Sequence, residues 1–523
     1  MSFEPNSAAN PSTAPASAMP KQIKYIIANE GCERFSFYGM RNILTSFLIT
    51  SLFLSMPESL RAGMAKEVFH TFVIGVYFFP LLGGWLADRY LGKYHTVLWL
   101  SLVYCAGHAC LAIFENNRNG FFTGLFLIAL GSGGIKPLVA SFVGDQFNQA
   151  NKHLARKVFD SFYWIINFGS FFASLLMPIF LRQYGAAVAF GIPGVLMLMA
   201  TIIFWLGRKN YVMIAPQSEN PDSFSKVVKS ALLIGEQGQS RLGLRLAQLG
   251  VLFGLACLLL VGQIGVVASL CLALVVVLGC GGLGAWLQLE RARAVHSDAA
   301  VDGVRAVLRL LVVFALVTPF WSLFDQKAST WIVQADQMTK QDWFMSSQMQ
   351  ALNPLLVMLL IPFNNFVLYP MLERLGLEFN ALRRMGCGIA FAGVAWIVIG
   401  LMQLVMDGGS ALSVTWQVLP YALLTMGEVL VSTTGLEFAY SQAPLAMKGV
   451  IMSFWNLSTT IGNLWVLLAN ASVKNAALTA KIQNTGLSVT AFQMFFFACF
   501  ALLAALVFAW YGRHYLIKDN YRQ

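Results

Sequence analysis

Apolar runs of about 20 or more residues recur along this chain, each long enough to cross the hydrocarbon core of a bilayer as a helix. Roughly fourteen can be marked by that length, centred near residues 37, 78, 104, 135, 170, 196, 253, 277, 318, 358, 392, 427, 460 and 502. Composition agrees: of 523 residues, 57% are hydrophobic and only 11% charged, far from the balance of soluble domains. The chain is therefore read as an all-α integral membrane protein.

Residues 1–20, rich in Ser, Ala, Pro and Asn, hold no apolar core and read as a disordered tail rather than a signal peptide. Threading the spans alternately puts most Lys and Arg on one side, among them Lys21, Lys24, Arg89, Lys93, Lys152, Arg156, Lys157, Arg208, Arg383, Arg384, Lys448, Arg513 and Arg522. The positive-inside rule then makes both termini cytoplasmic. Basic loops beside anionic lipid account for the formal charge of +11, so no nucleic-acid partner is implied. The eight cysteines, mostly inside apolar runs, form no CxxC pair and imply neither a disulfide nor a metal site.

Trp85 to Gly92 (WLADRYLG) follows the second span, and a degraded counterpart, Pro370 to Gly376 (PMLERLG), occupies the matching place in the second half. Duplicated halves with a site between them are a transporter architecture, although short cytoplasmic hairpins also collect Arg and Gly without any duplication. The pair of spans at 243–263 and 266–289, almost free of charge and turning at Gln263-Ile264-Gly265, reads as a lipid-facing hairpin inserted between two bundles. The expected division is a tail at 1–20, a six-helix bundle at 21–207, a linker with the hairpin at 208–300, a second six-helix bundle at 301–516 and a tail at 517–523.

Within the first span, Glu30, Glu33, Arg34, Phe37, Tyr38 and Arg41 share one helical face. Each charge near the bilayer centre costs roughly 2.5 to 3.5 kcal/mol, so four unpaired charges would cost about 10 kcal/mol. They must pair or face water inside the protein. Lys136 follows a glycine-rich stretch and precedes Pro137; Asp325, Glu428, Asn167 and Asn353 are further polar residues inside apolar runs. Simpler readings exist for each: snorkelling for Lys136, neutralisation of Lys327 for Asp325, interhelical hydrogen bonds for the two asparagines. Lys327 and Glu437, nearer span ends, read as structural or solvent-facing. Basic groups thus come from the first half and acidic ones from the second, so a zwitterion held between halves would meet both signs.

Three stretches carry a resemblance. Glu30, Glu33, Arg34, Phe35, Tyr38 and Gly39 spell ExxERFxxYG, Phe162 to Ser170 spells FYxxINxGS, and Gly83 to Arg89 spells GGWLADR. Together they resemble the proton-dependent oligopeptide transporter family of the major facilitator superfamily. That resemblance implies two six-helix bundles plus the hairpin, and proton-coupled import of di- and tripeptides across the bacterial inner membrane by a monomer. The proton is the coupling ion and no cofactor is implied. It also implies that Glu30, Glu33 and Arg34 couple protons, that Arg41 with Asp325 gates the outer side, and that Lys136 with Glu428 couples the halves on the inner side. Arg41 and Lys136 would meet the ligand carboxylate, Glu428 its amino group, and Asn167 and Asn353 its backbone; Tyr38, Tyr77, Trp321 and Trp455 would line side-chain pockets.

Three departures stand out. Phe37 replaces a common Tyr, Val431 to Gly435 lacks a Pro often found there, and Lys327 stands where Gly is frequent, a cation able to weaken the Asp325 gate. Rival readings are a nitrate or other anion carrier, which needs no acidic residue such as Glu428 facing its ligand, and a peptide sensor, which needs a signalling domain. HExxH, GxSxG and phosphate-loop motifs are absent from the sequence, which argues against an enzyme.

Overall fold

The computed structural model describes residues 19–147, 152–216, 221–235, 241–442 and 447–515. The expected tail at 1–20 lies almost wholly outside the described residues, and so do the tail at 517–523 with Arg522, parts of the linker, and the side chains of Lys152, Arg156, Lys157 and Lys448. Helix dominates and no strand occurs among the described residues, as expected where the backbone must satisfy itself in lipid.

The long helices are α1 (Ile23–Phe47), α2 (Glu58–Phe78), α3 (Gly92–Ile113) and α4 (Arg118–Asp145). Lys152–Leu206 follows as α5 and α6, divided at Gly185, whose φ of 82° ends one helix and starts the next. After the linker come α7 (Leu242–Cys257) and α8 (Val266–Leu287), then α9 (Asp298–Asp325), α10 (Leu352–Phe363), α11 (Ala381–Asp407), α12 (Val418–Glu428), α13 (Lys448–Ser472) and α14 (Val489–His514). Side-chain caps start several of them, with Asn117, Ser297, Asn380 and Ser488 accepting backbone N–H groups. Every span centre read from the sequence falls in one of these helices. Ten stretches of the described residues are long and apolar enough to cross a membrane; α1 and α13, each 25 residues, are not among them. Both carry polar residues that the site uses.

The buried apolar side chains fall into two large cores. One gathers residues from Ile23 to Tyr211 plus Ala328, the other residues from Val227 to Phe508. The α7–α8 hairpin contributes only Ala285 to either core, and only 11% and 17% of its apolar windows are buried, as a lipid-facing element requires. Its α8 residues Ala268 and Cys271 meet Ile74 of α2 and Leu464 and Leu467 of α13 in a small third cluster, where the two bundles adjoin. Because successive spans alternate in direction, the ends of α1, α5, α9 and α13 lie on one face, called distal here; the opposite face is called terminal.

The two related stretches differ in helix type, π at Ala87–Leu91 and α at Tyr369–Arg374, but close on glycines alike in φ. Gly92 and Gly376, the glycines closing the two related turns, have φ of 73° and 72°, a region open to glycine at little cost. The missing proline in α12 leaves no straight helix: Val429–Thr433 forms a π turn, with Thr433 Oγ1 donating to the Val429 carbonyl at 2.6 Å, before helix resumes at Thr434. A π turn bends a helix as a proline does.

Small residues let α11 and α12 cross closely. A Cβ added at Gly388 would lie 2.7 Å from the Gly427 carbonyl oxygen, and one added at Gly427 2.6 Å from that of Gly388, whereas Gly84 has nothing within 4 Å. Gly388→Val should therefore destabilise the fold by about 1–3 kcal/mol through backbone displacement, and Gly84→Ala should be neutral or better. Unfolding midpoints of the purified proteins in detergent check both.

Candidate functional site

On the terminal half of α1, the Arg34 Nε lies 2.8 Å from Glu30 Oε1, one turn back, and 2.6 Å from Glu33 Oε2 beside it. All three are buried, so three of the four charges of the expected stripe pair among themselves. Lys136, from the glycine-rich stretch of α4, faces Glu33; its Nζ lies 3.4 Å from the Tyr77 hydroxyl and over the rings of Tyr77 (4.5 Å) and Phe37 (5.1 Å). Phe37 thus offers the cation a π face where a hydroxyl was expected. Tyr38, half-buried, meets Phe37 edge-on at 5.4 Å.

The second group closes the distal seam. Arg41 Nη2 donates to Asp325 Oδ1 at 2.7 Å, joining the two bundles, and Asn463 Nδ2 donates to Asp325 Oδ2 at 2.8 Å. Asn463 Nδ2 also donates to the Thr459 carbonyl, which fixes the amide so that its Oδ1 faces His70 Nδ1 at 2.6 Å. That oxygen can only accept, so Nδ1 carries hydrogen. The other ring nitrogen of His70 meets Ser329 Oγ at 2.9 Å. Further bonds cross in the same half: Thr45 to the Ala328 carbonyl, Gln350 to that of Asn42 and Gln348 to that of Leu175. His70 and Asn463 escaped the sequence reading. A lone His beneath the start of α2 and an Asn inside α13 were the only signals.

Glu428 and Lys136, the second expected pair, take other partners. Asn353 Nδ2 donates to Glu428 Oε2 at 2.5 Å and to Thr425 Oγ1 at 3.1 Å, while its Oδ1 accepts from Lys327 Nζ at 2.9 Å. Lys327 is 4% exposed and sits 3.1 Å over the Phe324 ring. Its solvent-facing reading is corrected: it is buried and bonded to Asn353, beside Glu428. The 3-10 turn Gln326–Ala328 directs it away from Asp325, since residues two apart do not face each other. The second half thus contributes a cation besides its two acids.

Trp321 and Trp455 meet edge-to-face at 6.0 Å, each 7% exposed. Gly462 makes room, since a Cβ there would lie 2.6 Å from that of Trp321. Asn167 is buried and donates to the Tyr163 carbonyl one turn back at 2.9 Å. No group of His, Cys, Asp or Glu suited to a metal occurs among the described residues.

A multi-pass helical protein with ionisable groups of both signs gathered where two bundles meet has the architecture of a secondary transporter. Residues 94–486 match the PTR2 profile, described as the POT family. The chain is 68% identical to the POT family transporter PepTSo, whose crystal structure superposes with a TM-score of 0.95 over 97% of this chain and 100% of that one. An auto-inhibited POT family peptide transporter is 65% identical, with a TM-score of 0.94 over 96% and 99% of the two chains. Among curated relatives, solute carrier family 15 member 1 of Oryctolagus cuniculus is 30% identical over 416 residues, covering 74% of this chain and 52% of the relative. Peptide transporter 3 of Caenorhabditis elegans is 31% identical over 403 residues, 74% and 51% respectively. The chain spans about half the length of these curated relatives. It belongs to the POT family, and its fold is that of the major facilitator transporters.

Removing one partner of a buried ion pair leaves a bare charge, at a cost of about 3–5 kcal/mol, whereas replacing both with apolar groups is often near neutral. Asp325→Ala should lose stability of that order and the Arg41→Met/Asp325→Leu double variant should recover most of it. Denaturant unfolding in mixed micelles measures the difference; equal losses would contradict the role of the bare charge.

Proposed function

We propose that this protein is a proton-driven symporter that imports di- and tripeptides across a bacterial inner membrane by alternating access, with its terminal face and both termini in the cytoplasm. The observation that carries the reading is the buried Glu30–Glu33–Arg34 set beside a both-signed cluster at the bundle junction. The peptide names of close relatives support the substrate class.

Arg34 holds Glu30 and Glu33 ionised, and a proton displaces that pairing. A carboxylate next to a guanidinium favours its charged form, and separation from it favours the neutral form, so binding and protonation are linked. Arg41 and Lys136 take the peptide carboxylate. Glu428 takes the ammonium, displacing Asn353, and Asn353 and Asn167 then serve the peptide backbone. Tyr38, Tyr77, Trp321 and Trp455 line the side-chain pockets. Arg41 with Asp325 is the outer gate, closed in this conformation; Lys136 with Glu428 is the inner pair, which forms when the terminal side closes. One inward proton supplies roughly 2.3 kcal/mol per 100 mV, enough for about fiftyfold accumulation of a neutral zwitterion.

Uptake of labelled dialanine into liposomes tests the reading. Accumulation should require an inward proton gradient or inside-negative potential and collapse with an uncoupler. Glu33→Gln should lose at least tenfold of the accumulation while retaining exchange of peptide for peptide; full uphill uptake by that variant would remove Glu33 from the coupling role. Binding without accumulation would favour a sensor.

A further inference from the structure

Helices α1 and α3 run in the same direction, separated by the return of α2, so their facing residues can be matched rung by rung. One rung is made: His108 Nε2 and Ser36 Oγ lie 3.0 Å apart. Ser36 has a single proton and donates it to the Pro193 carbonyl of α6 at 2.7 Å, so its oxygen accepts from His108 and Nε2 carries the hydrogen. Moving one turn toward the terminal face reaches Glu33 on α1, three residues back, and Tyr104 on α3, four residues back.

Tyr104 stacks on His108, with ring centroids 5.0 Å apart and planes at 20°; its hydroxyl lies beside Ser36, without an aligned hydrogen bond, and in the field of Glu33 and Arg34. Tyr104, His108 and Ser36 are fully buried and Glu33 is 2% exposed. The Tyr104 hydroxyl and both Glu33 carboxylate oxygens lack a hydrogen-bond partner: the 2.6 Å contact of Glu33 with Arg34 supplies charge without hydrogen-bond alignment. A buried polar group without a partner is costly and calls for a reason. Here an unfilled donor and an unfilled acceptor stand at the same level of two facing helices.

We propose that Tyr104, seated by the His108–Ser36 rung, is a positioning residue for proton coupling whose hydroxyl donates to the Glu33 carboxylate as Arg34 moves off. This rests on the assignment of Glu33 as a coupling residue. The groups facing Glu33 are Arg34, Glu30 and Tyr38 on α1, Lys136 on α4 and Tyr104 on α3; α6 presents the Pro193 carbonyl to the rung above. When Arg34 departs, the phenol hydroxyl keeps the carboxylate ionised until the proton arrives, because a donor to the charged form favours that form.

The test is the pH profile of gradient-driven dialanine uptake in liposomes, beside gradient-free exchange. Without the hydroxyl, Glu33 takes a proton more readily. Tyr104→Phe should therefore shift the profile to higher pH by about one unit, tenfold in proton concentration, with exchange within twofold of wild type. His108→Gln, which keeps a donor for Ser36, should leave the profile in place; His108→Leu should shift it in the same sense as Tyr104→Phe. An unshifted Tyr104→Phe profile beside gradient-driven wild-type uptake would overturn this inference alone, as would equal loss of uptake and exchange, the mark of a merely structural residue. Wild-type uptake indifferent to the proton gradient would overturn the coupling assignment and this inference with it.

Discussion

A charge carried into hydrocarbon must be answered within the protein, and the site is organised by how each of these charges is answered. Arg34 is answered inside its own helix by Glu30 and Glu33, so α1 can enter the bilayer with that account already settled. Arg41 is answered by Asp325 from the other bundle. The first pairing stabilises one helix, whereas the second ties two bundles together. That difference fits the proposed roles, a local cluster for the proton and a seam for the gate.

The seam reaches beyond the ion pair. Asp325 is also held by Asn463, which orients His70, which in turn meets Ser329 at the end of the turn carrying Lys327. Three helices and the α9 terminus therefore share one hydrogen-bonded set. Disturbing Asp325 removes partners from Arg41 and Asn463 together, so the closure is expected to be cooperative rather than gradual. Lys327 belongs to the neighbouring set through Asn353 and Glu428. The two sets thus meet across one short turn, Gln326–Ala328, with Asp325 before it, Lys327 within it and Ser329 after it, a short path by which the proposed contact of a ligand with Glu428 would reach the seam.

Much of this was legible in the sequence because lipid leaves few alternatives. Apolar length located the helices, the i, i+3, i+4 spacing of Glu30, Glu33 and Arg34 showed that they share a face, and the ExxERF motif named the family. The Arg41–Asp325 contact followed from resemblance, since nothing local links residues 284 positions apart. Lys327 reads as solvent-facing because it lies near a span end, where sequence cannot show that the 3-10 turn Gln326–Ala328 buries it against Phe324 and Asn353. His70, Asn463, His108 and Tyr104 went unread for one reason: a single polar residue in an apolar helix looks alike whether it packs, hydrogen-bonds or works. The absent proline at Val431 to Gly435 leaves a bend there in doubt, and the π turn at Val429–Thr433 goes unread because a π turn needs no breaker residue to announce it.

The central proposal is that the Arg41–Asp325 network holds the distal face closed. Spin labels at the exposed Thr50, beyond α1, and Ser410, beyond α11, would report the distance across that face in liposomes. A single short distance in the wild type, lengthening or becoming bimodal in Asp325→Asn, is the predicted result. An unchanged distribution in the variant would contradict it and place the closure in the apolar contacts around the seam.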